Sequence, residues 1–558
     1  MSISPSYGSA LARRPGFHLM ALVVIFIGSV AFVGASGDFP LRDDWSFAIA
    51  TRTLVAAHIW MPHGWSSMTL ISNALWAAPI CAASPCGFDD LRLTTLLASL
   101  VLFSATFFLV RLNGKGTALP LLAAFLVAFN PIAYALSFSF MTDILFSALL
   151  AISAFLFIAS LERDSLSLAA LGTLAALAAT FSRQLGLCVP LAYLLTRLLQ
   201  TGDWRKKLVP ALLPLLICAA SLWLYNIWLR ETGRAPPFYN RPTDFSADPL
   251  HILRQISVNP IVALLYLGLF SLPMLILTRR PTVVPNTHGW LSRVPLAAAA
   301  GAAFVAIVAM VIRQRIMPLG HDVIVQQGIG PLTLRDATLL ELPNVPPLSA
   351  AFWIAVTLLS LLGMYELVRR VAIQAVNLAS TWRQKRIEPG EAPALFAAIA
   401  ILAYLAPVMA VTMFDRYLVP LLPLTLFFLT NVSAPASFER HRALAAATLC
   451  LASAAFTVLA MHDYMAWNRA RWAAIADLEK AGVAGPANLD GGFEYNGLFS
   501  YSPSYKPSSE KSFWWVDKDD YQIAFGPIAG LKVVREYPYE TLLPPATRSI
   551  LVLSKQAE

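Results

Sequence analysis

Charge is scarce in this sequence: only 13% of its 558 residues are Asp, Glu, Lys or Arg, whereas 57% are hydrophobic. A soluble chain of this length needs far more polar surface to cover its core, so a soluble fold is excluded. Phosphate-binding glycine loops are also missing, since no P-loop or GxGxxG pattern follows a predicted strand. ATP-driven transport therefore has no support in the sequence.

Cysteine is sparse as well, and its five residues form no zinc-binding pattern. Only Cys81 and Cys86 fall in a segment predicted to lie outside the membrane, where a disulfide and two free thiols are both compatible with the sequence. The formal charge of +9 comes from basic residues in short loops and not from a basic stripe with interleaved aromatic residues. Nucleic-acid binding is therefore not expected.

Hydrophobic runs of about 18–22 residues fill most of the chain, and each can cross a hydrocarbon core of about 30 Å. The first run follows Arg13 and Arg14, so a signal peptide is the competing interpretation. It lacks a small-residue cleavage site before Asp38, and we interpret it as a retained helix. The sequence predicts a polytopic α-helical membrane protein with about thirteen spans, at residues 17–36, 91–110, 117–137, 143–161, 166–182, 185–199, 208–229, 259–278, 294–312, 348–368, 393–412, 417–431 and 442–460.

Basic residues set the predicted orientation of these spans. With the N-terminus inside, the inner loops are shorter than the outer loops yet carry more Lys and Arg, as the positive-inside rule requires. The opposite orientation would place "DWRKK", "LTRR" and "TWRQKR" outside. An odd number of crossings then puts the C-terminus on the outer face.

Three predicted outer segments are long: 37–90, 230–258 and 313–347. Loops of this length are uncommon unless they are functional, and the stretch 45–60 suits a helix lying along the membrane interface. From about residue 462 the chain turns into short β-rich runs separated by Gly, Pro and Asp. We therefore predict a transmembrane domain at 1–461 and a small extracytoplasmic α/β domain at 462–558.

Charged residues that interrupt the apolar runs collect at the outer ends of the predicted helices. An ionised side chain within a span costs about 2.5–3.5 kcal/mol, so such residues are functional candidates. They come from well-separated parts of the chain: Asp43, Asp44, Asp143, Arg183, Asp415 and Arg416.

Each candidate also has a structural alternative. Asp43 and Asp143 can cap helices, Arg183 can reach lipid phosphates from a short turn, and Arg416 can pair with a neighbouring carboxylate. Two histidines suit the membrane interface as plain polar residues, His58 and His63. The coincidence of the charges on one face instead favours a shared site for a lipid with an anionic head.

In this order along the chain, the motifs resemble those of the GT-C superfamily of integral-membrane glycosyltransferases. The branch is that of the protein O-mannosyltransferases and the bacterial lipid A aminoarabinose transferase. The resemblance rests on the pair Asp43-Asp44, "MTDILFSALLAISAF" with Asp143, "LAALAATFSRQLGLCVPLA" with Arg183, "FDRYLVPLLPLTLFF" and "NLDGGFEYNG".

The chain departs from that family pattern in two places. Relatives often have Asp-Glu where this chain has Asp-Asp, which preserves the charge. Many carry a Lys-Pro-Pro segment where this chain reads "WMPHGWSS", with His63 in place of a phosphate-binding Lys. A neutral imidazole binds phosphate less well than an ammonium, although imidazolium can serve.

The resemblance implies an enzyme of the bacterial inner membrane with a cytoplasmic N-terminus and a periplasmic C-terminal domain. It implies transfer of one sugar, with inversion, from a polyprenyl-phosphate donor to a hydroxyl of a lipid, glycan or protein acceptor. In this interpretation Asp43 is the general base, while Asp44 and Asp143 position the acceptor or the reacting sugar. Four residues are expected to hold the phosphate: Arg183, Arg416, Tyr417 and His63.

Two other functions compete with this one. A lipid-linked glycan transporter or flippase usually places polar residues at mid-membrane, whereas here they lie at the outer ends of the spans. An O-antigen ligase or polymerase-like enzyme would rely on one dominant outer loop, which the chain lacks. No cofactor is required by the sequence, and the paired carboxylates are compatible with a divalent metal without demanding one.

Overall fold

The structure is a computed structural model that describes residues 15–200, 203–239, 249–283, 291–320, 322–382, 389–433, 439–506 and 514–555. Most of these residues are helical. The α-helices of the described residues are, in chain order, α1 (Pro15–Val33), α2 (Asp44–Ala57), α3 (Ile71–Ala83), α4 (Phe88–Arg111), α5 (Ala118–Ala128), α6 (Pro131–Ser137), α7 (Thr142–Arg163), α8 (Leu166–Ser182), α9 (Cys188–Leu199), α10 (Trp204–Glu231), α11 (Pro249–Leu277), α12 (Val294–Arg313), α13 (Arg335–Thr338), α14 (Ala350–Trp382), α15 (Ala392–Met409), α16 (Leu421–Val432), α17 (Arg440–Lys480) and α18 (Phe493–Ser500).

Strands occur in the third outer segment and near the C-terminus: β1 (Ile324–Val325), β2 (Gly328–Ile329), β3 (Leu489–Asp490), β4 (Tyr521–Ala524), β5 (Leu531–Leu542) and β6 (Pro545–Lys555). The first two form an antiparallel hairpin, and the other four form one sheet in the order β3-β4-β6-β5. Short 3₁₀ turns lie at Gln184–Leu187, Leu291–Arg293, Pro389–Glu391 and Asp415–Leu418.

The predicted fold class, a polytopic helical protein with a small C-terminal sheet region, is confirmed. Every predicted span overlaps a helix, and nine helices of the described residues are long and apolar enough to cross a membrane. A tenth candidate is the pair α5 and α6, bent by 60°. The bend lies at Asn130, whose backbone is extended before Pro131. The Asn130 side chain accepts hydrogen bonds from the first free backbone N–H groups of α6. The number of thirteen crossings stays a prediction.

The first outer segment holds two helices where the sequence predicted one. The stretch 45–60 corresponds to α2, while α3 is an additional short apolar helix. A disulfide joins Cys81, within α3, to Cys86 in the turn that follows, which resolves the alternative that the sequence left open. The other three cysteines are free and buried.

The C-terminal change of composition does not coincide with a break in the backbone. Helix α17 runs through residue 462 without interruption as far as Lys480, because residues 461–480 contain neither Pro nor Gly and are rich in helix formers. The sheet begins only at Leu489. The division into domains at residue 462 stays a prediction.

Close backbone packing joins α11 to α14. A Cβ atom on Gly268 would lie 2.3 Å from Met364 N, and one on Gly363 would lie 2.3 Å from Gly268 O. Small residues of this kind let two membrane helices approach until their backbones touch.

Candidate active site

The first outer segment reaches the site through a turn before α2. Arg42 adopts a left-handed backbone (φ 63°). The carboxyl group of Asp44 then accepts hydrogen bonds from Leu41 N at 2.8 Å and from Phe140 N at 3.1 Å. Burial raises the pKa of Asp44 to about 8. Since both oxygens bind backbone, Asp44 joins the turn to the segment that precedes α7.

Asp43 faces a different environment from its neighbour, and its side chain is 23% exposed. Its Oδ1 accepts a hydrogen bond from Trp65 Nε1 at 2.8 Å, and its Oδ2 lies 3.5 Å from Arg416 Nη1. Asp43 occupies the N-cap position of α2, but only its main-chain oxygen bonds the helix, accepting from Ser46 N at 3.0 Å. The helix-cap interpretation of the Asp43 side chain is therefore wrong.

Asp143 and Arg183 form a fully buried ion pair. Asp143 Oδ2 lies 2.8 Å from Arg183 Nη2, and Arg183 Nε donates to Thr142 Oγ1 at 2.7 Å. Asp143 Oδ1 is buried and has no hydrogen-bond partner among the described residues. Arg183 is the C-cap residue of α8 and is 3% exposed, so it does not reach out to lipid phosphates. The side chain of Asp143 makes no cap bond to α7 either, since Met141 is the N-cap.

In the "FDRY" turn before α16, Asp415 and Arg416 contact different partners. Both oxygens of Asp415 accept hydrogen bonds from the third outer segment, from Val323 N at 3.0 Å and from Ile324 N at 2.8 Å. Burial raises the pKa of this carboxyl, and the nearby charge of Asp322 adds to the increase. Asp415 thus binds the β1–β2 hairpin, whereas the next residue, Arg416, lies next to Asp43.

Tyr417 brings the two acid–arginine pairs together. The Cζ atoms of Arg183 and Arg416 each lie 5.9 Å from the centre of its ring. A cavity of about 270 Å³ opens beside Arg183 and Tyr417. Apolar side chains from α15 and the residues after it form one wall of this cavity, namely Pro407, Val408 and Val411. Cationic and apolar surfaces therefore meet at one place.

Asp322, in the third outer segment, completes the charge network and was missed by the sequence analysis. It lies 3.1 Å from Arg42 Nη1 and 3.5 Å from Arg416 Nε. Burial alone would raise the pKa of Asp322, but the two arginines hold this pKa below its usual range. The one feature of the sequence that pointed to Asp322 was its position as an acidic residue in "PLGHDVIV", inside a loop long enough to be functional.

His63 does not fit the predicted role of phosphate ligand. Its ring centre lies 5.1 Å from that of Trp45 and 4.8 Å from that of Tyr501, and its Nδ1 accepts a hydrogen bond from Trp65 N at 3.2 Å. Burial lowers the pKa of His63 to about 4, so the ring is neutral at neutral pH. Phosphate binding would need the charged imidazolium form, and the surrounding aromatic side chains disfavour that form.

The C-terminal region covers the first outer segment. Glu494 and Arg471 form a buried ion pair at 2.7 Å. Glu494 also accepts hydrogen bonds from Arg42 N at 3.2 Å and from Thr333 Oγ1 at 2.7 Å. The "NLDGGFEYNG" motif that carries Glu494 thereby connects α17, the first outer segment and the third.

The second outer segment adds a further contact through its described part. Phe238 packs on Trp65, with ring centres 4.4 Å apart, and Arg234 Nη1 donates to Trp60 O at 3.2 Å. The rest of this segment, at 240–248, lies outside the described residues. Within the described residues, no group of three His, Cys, Asp or Glu side chains is placed to hold a metal ion.

No protein-family model matches the chain, and no curated protein matches it. Solved structures that align with it include ArnT from Cupriavidus metallidurans in the apo state, at 13% identity over 97% of this chain and 99% of that chain, with a TM-score of 0.38. The same protein bound to undecaprenyl phosphate aligns at 13% identity over 96% and 98%, with a TM-score of 0.35. The apo oligosaccharyltransferase of Archaeoglobus fulgidus aligns at 13% identity over 80% of this chain and 56% of that chain, with a TM-score of 0.37.

Proposed function

We propose that the protein is a membrane glycosyltransferase. It would move a single sugar from a polyprenyl phosphate to a hydroxyl of an envelope lipid, glycan or protein. One observation carries the proposal: the two acid–arginine pairs meet at Tyr417, beside a cavity with an apolar wall. A lipid with a phosphate head and an uncharged chain matches that combination of surfaces.

The donor phosphate binds between Arg183 and Arg416 in this proposal. Guanidinium groups present planar N–H donors that match phosphate oxygens. The adjoining apolar wall then takes the first isoprene units of the chain. Arg183 is held rigidly by Asp143 and Thr142, so it serves as the fixed half of the clamp.

Arg416 is the exchangeable half of the clamp. Its two carboxylate contacts, to Asp43 and Asp322, are both long at 3.5 Å. Within the described residues, Arg416 Nε has no hydrogen-bond partner. An incoming phosphate can therefore replace Asp43 at Arg416, and this exchange frees Asp43 Oδ2 to act as a base.

The chemistry follows from that exchange. The acceptor oxygen attacks the anomeric carbon from the face opposite the phosphate, and its proton passes to Asp43 Oδ2. The bond between the anomeric carbon and the phosphate oxygen breaks, and its electron pair leaves with polyprenyl phosphate. One displacement inverts the anomeric configuration. Trp65 keeps Asp43 Oδ1 fixed during the reaction.

The site belongs on the extracytoplasmic face of a bacterial inner membrane in this proposal. The charge distribution of the loops supports that orientation. The C-terminal region and the β1–β2 hairpin would shield the reacting sugar from water.

Purified protein incubated with a panel of polyprenyl-phosphate sugars tests the proposal. Release of polyprenyl phosphate, followed by mass spectrometry, should occur with at least one donor and should require an acceptor hydroxyl. Comparison of envelope glycans between a deletion strain and its parent then names the acceptor. If the protein instead moved intact lipid-linked sugar across a vesicle membrane without cleaving it, the protein would be a transporter and the proposal would be wrong.

A further inference from the structure

A second polar cavity lies at the other end of the helices. It has a volume of about 570 Å³ and lies among α11, α14 and the start of α17. Its charged lining consists of four arginines and two glutamates, namely Arg279, Arg280, Arg370, Arg442, Glu366 and Glu439. Two positive charges are therefore in excess.

Arg370 lies at the bottom of this cavity and is 1% exposed. Its Nη1 donates to Thr278 Oγ1 at 2.6 Å and to Ser433 Oγ at 3.0 Å, and its Nη2 donates to Leu275 O at 2.6 Å and to Thr278 O at 2.9 Å. All of these acceptors are uncharged. Arg370 Nε is buried and has no partner among the described residues. A buried cation without a contacting anion is costly, and a bound anion would relieve that cost.

The rim of the cavity is accessible and partly neutralised. Arg280 pairs with Glu366, and Arg442 Nε lies 2.6 Å from Glu439. The arginine side chains of these pairs are 46% and 40% exposed. Charged residues at the mouth and a buried cation at the base leave space for an anionic group between them.

The distance from the candidate active site is about one membrane thickness. Asn259, in the first half of α11, donates hydrogen bonds to Met409 O and Val411 O beside the candidate active site. Thr278, just after the end of the same helix, contacts Arg370. Nineteen residues at 1.5 Å each separate the two positions by about 28 Å. The second cavity therefore lies at the head-group depth of the opposite leaflet.

We propose that this cavity binds the phosphate head group of an anionic phospholipid from the leaflet opposite the candidate active site. Apolar residues beside the arginines, Leu272, Leu275, Ile276 and Leu362, continue into the hydrocarbon region and receive the first part of an acyl chain. Basic pockets between membrane helices are known to select such lipids. The binding does not depend on the proposed reaction, and its role is to tie α11, α14 and α17 together.

Native mass spectrometry of the full-length protein in detergent tests the proposal. Phosphatidylglycerol, phosphatidylcholine and inorganic phosphate are added in separate arms. Phosphatidylglycerol should remain bound at least fivefold more than phosphatidylcholine. Inorganic phosphate at millimolar concentration should displace it only weakly, because the acyl contacts are missing.

The mutational test replaces exposed arginines at the rim, because replacing the buried Arg370 would endanger folding. The variants Arg280→Gln and Arg442→Gln should each lower phosphatidylglycerol retention about fivefold, the effect of one basic residue near an anionic head group. Arg369→Gln is the matched control, because this neighbour removes the same charge but does not line the cavity. Its retention should equal that of the wild type.

Three outcomes would overturn the proposal. Equal retention of phosphatidylglycerol and phosphatidylcholine would exclude recognition of the anionic head. A loss in Arg369→Gln as large as that in Arg442→Gln would attribute the effect to general charge. Full displacement by inorganic phosphate would assign the cavity to a free anion.

Discussion

The two acid–arginine pairs of the candidate site are built differently. Asp143 and Arg183 are in contact at 2.8 Å and buried, with Thr142 as a third partner. Asp43 and Arg416 are 3.5 Å apart, and the Asp43 side chain is 23% exposed. One pair is closed and the other is open, although both flank the ring of Tyr417.

This difference separates a fixed half of the proposed phosphate site from an exchangeable half. A buried pair whose partner is removed leaves an uncompensated charge, so the closed pair is part of the fold. In the open pair the contact is long, the Asp43 side chain is partly exposed, and the buried Arg416 has Asp322 as a second anion, so an incoming phosphate can replace Asp43 at lower cost. In the proposed mechanism the open pair is therefore where the donor phosphate exchanges with Asp43. The following changes test this distinction, from the largest expected effect to the smallest.

Asp43→Asn should lower the rate of sugar transfer about 100- to 10,000-fold, the usual contribution of a general base. The amide oxygen can still accept the hydrogen bond from Trp65, so the fold should survive. Initial rates of polyprenyl phosphate release measure the first effect, and thermal unfolding measures the second. Transfer at the wild-type rate would exclude Asp43 as the base.

Asp143→Ala should lower the free energy of unfolding by about 3–5 kcal/mol, because Arg183 then remains buried without its anion. Thermal unfolding in detergent measures the change. Asp43→Ala is the matched control, and it should cost clearly less, since the Asp43 side chain is 23% exposed and the buried Arg416 keeps Asp322 at 3.5 Å. Equal losses of unfolding free energy in the two variants would contradict the proposed difference between the two pairs.

Arg416→Gln should raise the donor concentration for half-maximal rate about 10- to 100-fold, since a hydrogen bond to a charged group contributes about 1.5–3 kcal/mol. The dependence on acceptor concentration should change little. Rates measured over a range of each substrate separate the two. An unchanged donor dependence would show that Arg416 does not hold the phosphate.

Asp44→Asn should change activity least and should alter the pH dependence of stability. The pKa of Asp44 is raised to about 8 in the fold, against about 3.9 in an unfolded chain. Between these values the folded protein binds the extra proton, so stability falls as pH rises from about 4 to 8.

The Asp44→Asn variant cannot ionise and should lose this part of the pH dependence. Its thermal midpoint should therefore approach or exceed that of the wild type as the pH rises towards 8. Parallel curves for the two proteins between pH 5 and pH 8 would contradict the assignment of a protonated, buried Asp44.

Much of the architecture could be predicted from the sequence, because apolar runs of membrane length report helices directly. The outer polar layer could also be predicted, since charges are rare enough in such a chain to stand out. Residue-level roles were harder. Asp44 looks like Asp43 in the sequence, and only the turn at Arg42 shows that Asp44 binds backbone.

Long-range partners account for most of the remaining differences. Asp322 meets Arg42 across 280 positions, a separation on which a local pattern carries no information. The environment of His63 depends on Tyr501 from the C-terminal region. Composition also changes near residue 462 while helix α17 continues, because a helix leaving the membrane keeps its backbone and changes only its side chains.

The affinity for polyprenyl phosphate without a sugar tests the proposed mechanism most directly, because in that mechanism the phosphate replaces Asp43 at Arg416. Titration of the purified protein should show that Asp43→Asn, although slower in sugar transfer, binds this lipid more tightly than the wild type. Arg416→Gln should bind it more weakly. Weaker or unchanged binding by Asp43→Asn would contradict the exchange of partners on which the proposed mechanism depends.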